Sequence, residues 1–502
     1  MLIATIIASS MTFIDGTVVN VALPALQADL HATLADVQWV VEAYALFLGA
    51  LILVGGSLGD QLGRKRVFLA GVVLFTAASV GCGAATTIQL LIAARALQGI
   101  GAALLVPGSL AIISATFTAA DRGRAIGVWS GFSAITTALG PVAGGWLVEH
   151  VSWRAVFFLN VPLAAIVLFL SLRFMKESRD PSRGGRIDWT GAALAVIGLG
   201  GIVVGLLEWP SLGARHPLVI ASLTIGTLCL VGLGFVEHRV RDPMIEPSLF
   251  RIRTFTLANL LTLLLYAALG IVFFLAPLNL IQVQRYSATA AGATLLPFPI
   301  IMFVLSRWSG GLVARIGPRI PLTVGPIVTA VGFALYAWPG VGGSYWVTFF
   351  PAIVASGLGM AITVAPLTTT VMGAIDDRHA GVASGINNAV SRVAGLLAIA
   401  VFGIVLSHVF DARANARLDK IALAPNVRSA INAQLPKLAG AEIEQVAFTQ
   451  PAQRTQVRAT IDESFVSGFR VVMISAAILA VVAAIAGAAI AGAVSTAPKK
   501  TG

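Results

Sequence analysis

Residues 14–24 read IDGTVVNVALP, and Asp15 stands in a run that carries no other charge from Leu2 onward. What an isolated carboxylate means there depends on whether the run lies in water or in lipid. Of the 502 residues, 57% are apolar and 11% charged, against roughly 25% charged in a soluble domain. Apolar runs of about 20 residues recur from end to end, each long enough to cross a hydrocarbon core of about 30 Å as a helix. Lipid offers a backbone N–H or C=O no partner, so helices are the expected spanning element, and the alternating pattern of barrel strands is absent.

The reading is an all-α polytopic membrane protein with fourteen spans, near 2–24, 37–58, 67–85, 89–111, 125–147, 154–172, 189–208, 217–236, 256–281, 291–313, 320–338, 346–371, 381–407 and 466–493. A net charge of +11 suggests nucleic acid as a partner, but the placement of the basic residues decides for the membrane. With both termini on the cytoplasmic face of a plasma membrane, the short inner segments hold 19 Lys/Arg: Arg64, Lys65, Arg66, Arg122, Arg124, five between Arg173 and Arg186, four between Arg239 and Arg253, Arg315, Arg319, Arg378, Lys499 and Lys500. The short outer loops hold only Arg154, Arg215 and Arg285, the asymmetry expected of a multi-pass protein. Trp39, Trp146, Trp153, Trp189, Trp209, Trp338 and Trp346 fall near predicted span ends, where amphipathic rings anchor. Cys82 and Cys229 lie within spans, so no disulfide framework is indicated. The first span lacks the basic segment and cleavage site of a signal peptide and is read as retained. The missing basic segment also leaves a start upstream of Met1 open.

A weak internal repeat divides the chain. GGSLGDQLGRKR (55–66) matches SGGLVARIGPRI (309–320), QGIGAA (98–103) matches SGLGMA (356–361), and DRGRAIGVWSG (121–131) echoes DRHAGVASG (377–385), all at offsets of 254 to 258 residues. Three matches in order indicate two related bundles. Residues 1–172 form the first six-helix bundle, 173–253 hold charged loops and two extra spans, and 254–502 form the second bundle. A long loop at 408–465 has seven basic and six acidic residues and reads as a solvated cap on the outer face.

Absences narrow the chemistry. No GxxxxGK[ST] or complete GxGxxG occurs, so no ATP site is expected on this chain. The six histidines are scattered over different loops and span ends, which gives no metal-ligand spacing. No nucleophile and base form a recognisable pair, so an enzyme is disfavoured and no cofactor is expected. What remains are charges inside spans: Asp15, Glu42, Arg95, Arg307 and Arg392. Each costs on the order of 2.5–3.5 kcal/mol to insert, which makes each a functional candidate. At about 1.5 Å per residue, Asp15 lies about 13 Å deep, Arg95 about 10 Å and Glu42 about 5–8 Å. Asp15 and Arg95 are level enough to pair, and Glu42 is placed to join them. A proton switch and a fixed pair that only holds helices together are the competing readings. Arg392 is near mid-membrane, with an anion or backbone carbonyls as its expected partners, and Arg307 is near enough to the inner end to snorkel.

The fifth span, GVWSGFSAITTALGPVAGG, sets Gly127, Gly131, Gly140, Gly144 and Gly145 around Pro141. Small residues four apart permit close helix approach and the proline permits a kink. In GSLGDQLGRKR the glycines allow a tight turn and the basic residues satisfy topology, which leaves Asp60 to cap a helix or pair with an arginine.

Taken together, these stretches resemble the major facilitator superfamily, and within it the fourteen-helix drug:proton antiporter branch (EmrB/QacA-like). DGTVVNVALP (15–24) is similar to the first-span signature of that branch, GSLGDQLGRK (56–65) to the superfamily loop signature, RALQGIGAA (95–103) to the fourth-span arginine motif, GPVAGG (140–145) to the antiporter motif, and SWRAVFFLNVPL (152–163) to a further branch segment. The resemblance implies proton coupling through Asp15 and Arg95, and the depth count adds Glu42 as a further acid. It implies an inner-face latch between bundles at Gly56, Asp60, Gly63, Arg64 and Lys65, and an antiporter helix at Gly140, Pro141, Gly144 and Gly145. Gln61 and Thr136 depart from the motifs, and Ala314 and Ile353 replace the second-bundle counterparts of Asp60 and Arg95. Coupling is therefore expected in the first bundle.

The function so implied is proton-coupled export of amphipathic small molecules, with Tyr266, Phe273, Phe298 and Arg392 as pocket candidates. Spans nine to thirteen contain no carboxylate, so a monovalent cation or neutral lipophile fits better than a multivalent cation, and Arg392 leaves an anion open. The alternatives are export of a specific metabolite, lipid or siderophore, and a membrane scaffold or sensor.

Overall fold

The computed structural model describes residues 1–117, 119–179, 188–240, 247–375, 380–448 and 450–490. Several side chains between 114 and 138, and those of 306, 307, 381, 382 and 384, stand outside that description. Arg307 and the basic residues Arg122, Arg124, Arg183, Arg186, Arg241, Arg378, Lys499 and Lys500 fall there too.

Among the described residues, thirteen helical stretches are long and apolar enough to cross a membrane. These are α1 (Leu2–Asp29), α2 (Leu34–Leu62), α3 (Arg64–Ala84), α4 (Ile88–Thr116), α6 (Ala155–Phe174), α7 (Trp189–Leu212), α8 (Pro217–Arg239), α9 (Arg253–Leu278), α10 (Ala288–Thr294 continued by Pro297–Gly310), α11 (Arg319–Tyr336), α12 (Phe350–Gly373), α13 (Ala380–Leu418) and α14 (Pro451–Ala488). The 32-residue α5 (Ala119–His150) is the helix at the position of the expected span 125–147. Starts are set by local chemistry. Thr33 and Asp36 form a reciprocal capping box at α2, and Thr87, Asp188 and Ser287 cap α4, α7 and α10, each satisfying an amide left open by the first turn. Pro277 lies inside α9, which widens into a π turn at Asn279–Val283.

α1–α6 pack as one bundle and α9–α14 as another. Glycines set the spacing: a Cβ at Gly101 of α4 would fall 2.7 Å from the Phe75 Cα of α3, and one at Gly332 of α11 would fall 2.8 Å from the Ser356 Cα of α12. The repeat seen in sequence also has a backbone signature. Gly63 and Gly317, the matched glycines of the two halves, have φ of +116° and +73°, a conformation costly for residues with a side chain. α7 and α8 pair with each other, and α7 lies against both α2 and α13. Two seams join the bundles, α2 with α13 and α5 with α10.

The region between the last two spans differs from its expected form. α13 runs on to Leu418 and α14 begins at Pro451, so only 419–450 connects the two, a shorter segment than the loop expected over 408–465. It is also not merely solvated. Val427, Ile431, Leu435, Leu438 and Ile443 are buried with Leu26 and Val37 of the first bundle and Phe410 and Phe465 of the second. The Gln27 amide of α1 donates to the Lys437 carbonyl at 3.2 Å and accepts from the Gln282 amide at 2.6 Å. Glu442 accepts from Lys437 at 2.8 Å and lies 3.1 Å from His31, and Arg458 donates to the Ala441 carbonyl at 2.9 Å. The segment is a packed cap that ties both bundles at one end, here termed the cap face.

Partial burial pushes the Glu442 carboxyl up, but the hydrogen bonds and charges of Lys437 and His31 outweigh it and hold the group below the ordinary carboxylate value. A depressed carboxylate contributes stability that is full above its unfolded value near 4.5 and is lost as pH falls through the lower folded value. Acidification below about 4.5 is therefore expected to loosen the cap, and Glu442→Gln to remove that pH dependence. Hydrogen exchange of 419–450 as a function of pH measures both, and identical protection at pH 3 and pH 6 would contradict the assignment.

Candidate functional site

Asp15 of α1 and Arg95 of α4 meet inside the first bundle, 2% and 1% exposed. Arg95 Nη1 donates to Asp15 Oδ2 at 2.6 Å and to Gln98 Oε1 at 2.6 Å, while Nε donates to the Val40 carbonyl of α2 at 3.0 Å. Gln98 Nε2 donates to the other oxygen of Asp15, Oδ1, at 2.8 Å. Behind Gln98, the Ser79 hydroxyl of α3 accepts from Gln98 and Asn160 and donates to the Phe157 carbonyl of α6. The guanidinium carbon lies 4.3 Å from the centre of the Tyr44 ring and 5.9 Å from that of Phe157. Both oxygens of Asp15 thus have donors and Arg95 has three acceptor contacts. A buried pair persists only when its remaining donors and lone pairs are satisfied in this way.

Sequence depth placed Glu42 beside that pair, and the structure corrects this. Glu42 is fully buried, and neither of its oxygens has a hydrogen-bond partner among the described residues. It lies one turn beyond Gln38, whose amide reaches across to the Ile399 carbonyl of α13 at 2.8 Å. Gln38, Glu42 and Gly49 follow helical spacing along α2, and a Cβ at Gly49 would lie 3.5 Å from Arg392 Cβ of α13. Glu42 therefore belongs to the stripe of α2 that faces the second bundle.

The glycines of α5 work on two sides. A Cβ at Gly140 would collide with the Thr17 hydroxyl, and one at Gly144 would fall 2.6 Å from Val18 Cγ1, so this face lies directly on α1 beside Asp15. A Cβ at Gly145 would collide with the Ala288 carbonyl of α10, and one at Gly292 of α10 with the Pro141 carbonyl. The same turn of α5 thus touches the Asp15 stretch and the second bundle. Glu149 extends this contact by accepting from the Thr289 amide at 3.2 Å.

Where α2 meets α3, Asp60 in the last turn of α2 pairs with Arg64, the first residue of α3, at 2.8 Å. Lys65 donates from its amide to Glu177 at 3.0 Å and from Nζ to the Met175 carbonyl at 2.6 Å, and a Cβ at Gly63 would fall 2.7 Å from the Glu177 carboxyl. A Cβ at Gly56 would lie 3.7 Å from Pro107. These contacts tie α2 and α3 to the segment after α6, all within the first bundle, where a latch between bundles was expected. Of the pocket candidates, Phe273 and Phe298 pack edge to face with centres 4.9 Å apart, and Tyr266 is partly buried against the same core. Arg392 is half-buried on α13. No group of His, Cys, Asp and Glu suited to a metal ion occurs among the described residues.

Residues 5–399 match the Major Facilitator Superfamily. The chain belongs to that superfamily. It is 33% identical over 485 residues to the Multidrug resistance protein Stp of Mycobacterium tuberculosis, covering 96% of this chain and 90% of the relative. It is 32% identical over 497 residues to the Tetracenomycin C resistance and export protein of Streptomyces glaucescens, again covering 96% and 90%. Among solved structures, a bacterial homolog of the human lysosomal transporter Spinster, inward-facing and occupied, aligns with a TM-score of 0.63 over 97% of this chain and 95% of its own at 17% identity. As a member of the Major Facilitator Superfamily the protein is a membrane transporter and not an enzyme.

Sequence reasoning missed Gln98, Ser79, Asn160 and Tyr44. Gln98 lies inside the quoted RALQG stretch, three residues from Arg95 and therefore on the same helix face, which is the signal that would have found it. The segment SWRAVFFLN also gains a physical account. Trp153 and Arg154 both donate to Asp29 at the cap-face end of α1, at 2.9 and 2.7 Å, while Phe157 and Asn160 serve the Asp15 network.

Removing one partner of a buried pair leaves an uncompensated charge, on the order of 3–5 kcal/mol. Asp15→Leu and Arg95→Met are each expected to lower thermal stability by that order, and the double variant to recover most of the loss. Melting curves of the purified chain give the double-mutant cycle, and additive losses would show that the two side chains are not coupled. Gly145→Val is expected to hold the α5–α10 seam apart. Accessibility of a single cysteine at Thr289 to an impermeant thiol reagent should rise severalfold, and unchanged labelling would show that the seam tolerates the added side chain.

Proposed function

We propose that the protein is a proton-coupled exporter of amphipathic small molecules in the plasma membrane, with both termini cytoplasmic and the cap face outside. The excess of Lys/Arg in segments facing away from the cap supports the orientation. The names of its relatives, a multidrug resistance protein and an antibiotic resistance and export protein, support efflux of drug-like molecules. Paired bundles that join at their seams are suited to alternating access.

The observation that carries proton coupling is the contrast between two buried acids. Asp15 is saturated by Arg95 and Gln98, whereas Glu42 has no donor among the described residues and lies on the α2 stripe facing α13. A carboxylate enclosed without a cation or donor is accommodated as the neutral acid, because an ionised one would lose several kcal/mol of solvation with nothing in return. Closing the α2–α13 seam therefore selects protonated Glu42. Opening it toward the outside admits water and a proton, closure carries that proton inward, and release on the cytoplasmic side accompanies substrate loading. Asp15 and Arg95 hold the first bundle as one body so that the seams, not the bundle interior, absorb the motion.

Glu42→Gln mimics the protonated acid permanently. In proteoliposomes containing the intact chain under an imposed pH gradient, this variant is expected to bind substrate but to lose gradient-driven transport by at least tenfold. Full retention of substrate-coupled proton flux by Glu42→Gln would end the assignment of Glu42, and absence of proton flux in the unaltered chain would end the antiport reading.

A further inference from the structure

The two arginines deep in the bundles differ in what surrounds them. Arg95 is enclosed and paired, with Asp15, Gln98 and the Val40 carbonyl as acceptors. Arg392 is half-buried, and among the described residues its guanidinium has neither an ion pair nor a hydrogen bond. Its neighbour across the seam is α2, where Gly49 presents no side chain and lets α13 approach. The Tyr44 ring of α2 lies against the matched arginine, with the Arg95 guanidinium carbon 4.3 Å from its centre. The surrounding seam residues Leu46, Ala50, Leu396 and Ala400 are apolar. No carboxylate occurs in residues 256–375 or 381–407.

An open guanidinium in this position is costly in the same way as any charge inside a membrane protein. It is not needed to hold the second bundle together, since α9 and α13 are already joined by Asn387 donating to Asn259 and Thr262 at 3.1 and 2.7 Å. Its planar fork of donors matches a carboxylate geometrically, and a charge-assisted pair in a low-dielectric setting is stronger than one in water. We propose that Arg392 forms an anion subsite that selects amphipathic substrates bearing a single carboxylate. The apolar body of such a molecule lies along the seam and its carboxylate neutralises a cation that is unmatched there among the described residues. This inference rests on the exporter reading and adds the charge class of its substrate.

Three probes with one apolar body separate the outcomes: pyrenebutyrate, its neutral amide, and the trimethylammonium analogue of equal chain length. Binding to the purified full-length chain in a neutral detergent is followed by fluorescence titration, which requires no proton gradient. The anion should bind at least tenfold more tightly than the cation. Arg392→Gln should weaken the anion at least tenfold and leave the amide within twofold, and Arg392→Lys should restore part of the loss. Thermal melting of each variant establishes that it is folded. Equal binding of the three probes, or equal weakening of all three by Arg392→Gln, would overturn the proposal. Because the readout is binding, a protein that shows this selectivity but moves no protons would contradict the antiport reading while leaving the anion subsite intact, and the reverse result would do the opposite.

Discussion

Asp15 and Arg95 meet where neither has access to water, and much of the first bundle follows from that constraint. Removing two charges from solvent is tolerable only if every strong donor and acceptor around them is used. Doing so draws on five helices: the acid comes from α1, a carbonyl and a flanking ring from α2, a hydroxyl from α3, the base and an amide from α4, and a ring and a further amide from α6. A bundle held in this way moves as a body, because any internal shift would break several charge-assisted bonds together.

The stretch around Asp15 shows how the same helix serves two neighbours. Asp15 points to Arg95, while Ile14, Thr17 and Val18 form the bed on which Gly140 and Gly144 of α5 lie. On the neighbouring face of the same turns, Gly145 and the Pro141 carbonyl meet α10. The first-bundle charge network and the contact with the second bundle are therefore separated by the thickness of one glycine-lined helix. Substituting a side chain into that helix disturbs both contacts, which gives a physical reason for glycine at these positions beyond helix packing in general.

The fold was largely legible because lipid imposes strong rules on sequence: spans follow from apolar length, and bundles from the repeat. The Asp15–Arg95 pair was legible for the same reason, since an intramembrane charge stands out and depth can be counted. Glu42 was misplaced because depth gives height along the membrane normal but not direction around a helix; Gln38 and Gly49 supply that direction only once their partners on α13 are known. Gln98, Ser79 and Asn160 carry no formal charge, so the cost that flags a buried acid does not flag them. The cap was read as solvated because its charges nearly cancel and its apolar residues, Val427, Ile431, Leu435, Leu438 and Ile443, are spread over short segments in which period is hard to see. Their burial is a tertiary fact, created by the ends of α1, α2, α13 and α14.

The distribution of unmatched groups bears on how proton and substrate are coupled. Glu42 and Gly49 lie on one stripe of α2, seven residues apart, which is about 10 Å along the helix. Arg392 lies opposite Gly49, and Gln38 holds α13 one turn from Glu42. On the proposed reading proton and substrate carboxylate bind at different residues, and both groups read the same seam. A closed seam accommodates a neutral Glu42, and a carboxylate beside Arg392 lies between the two helices that the seam brings together. Competition between proton and substrate is then mechanical, expressed through the α2–α13 spacing, and requires no shared binding residue.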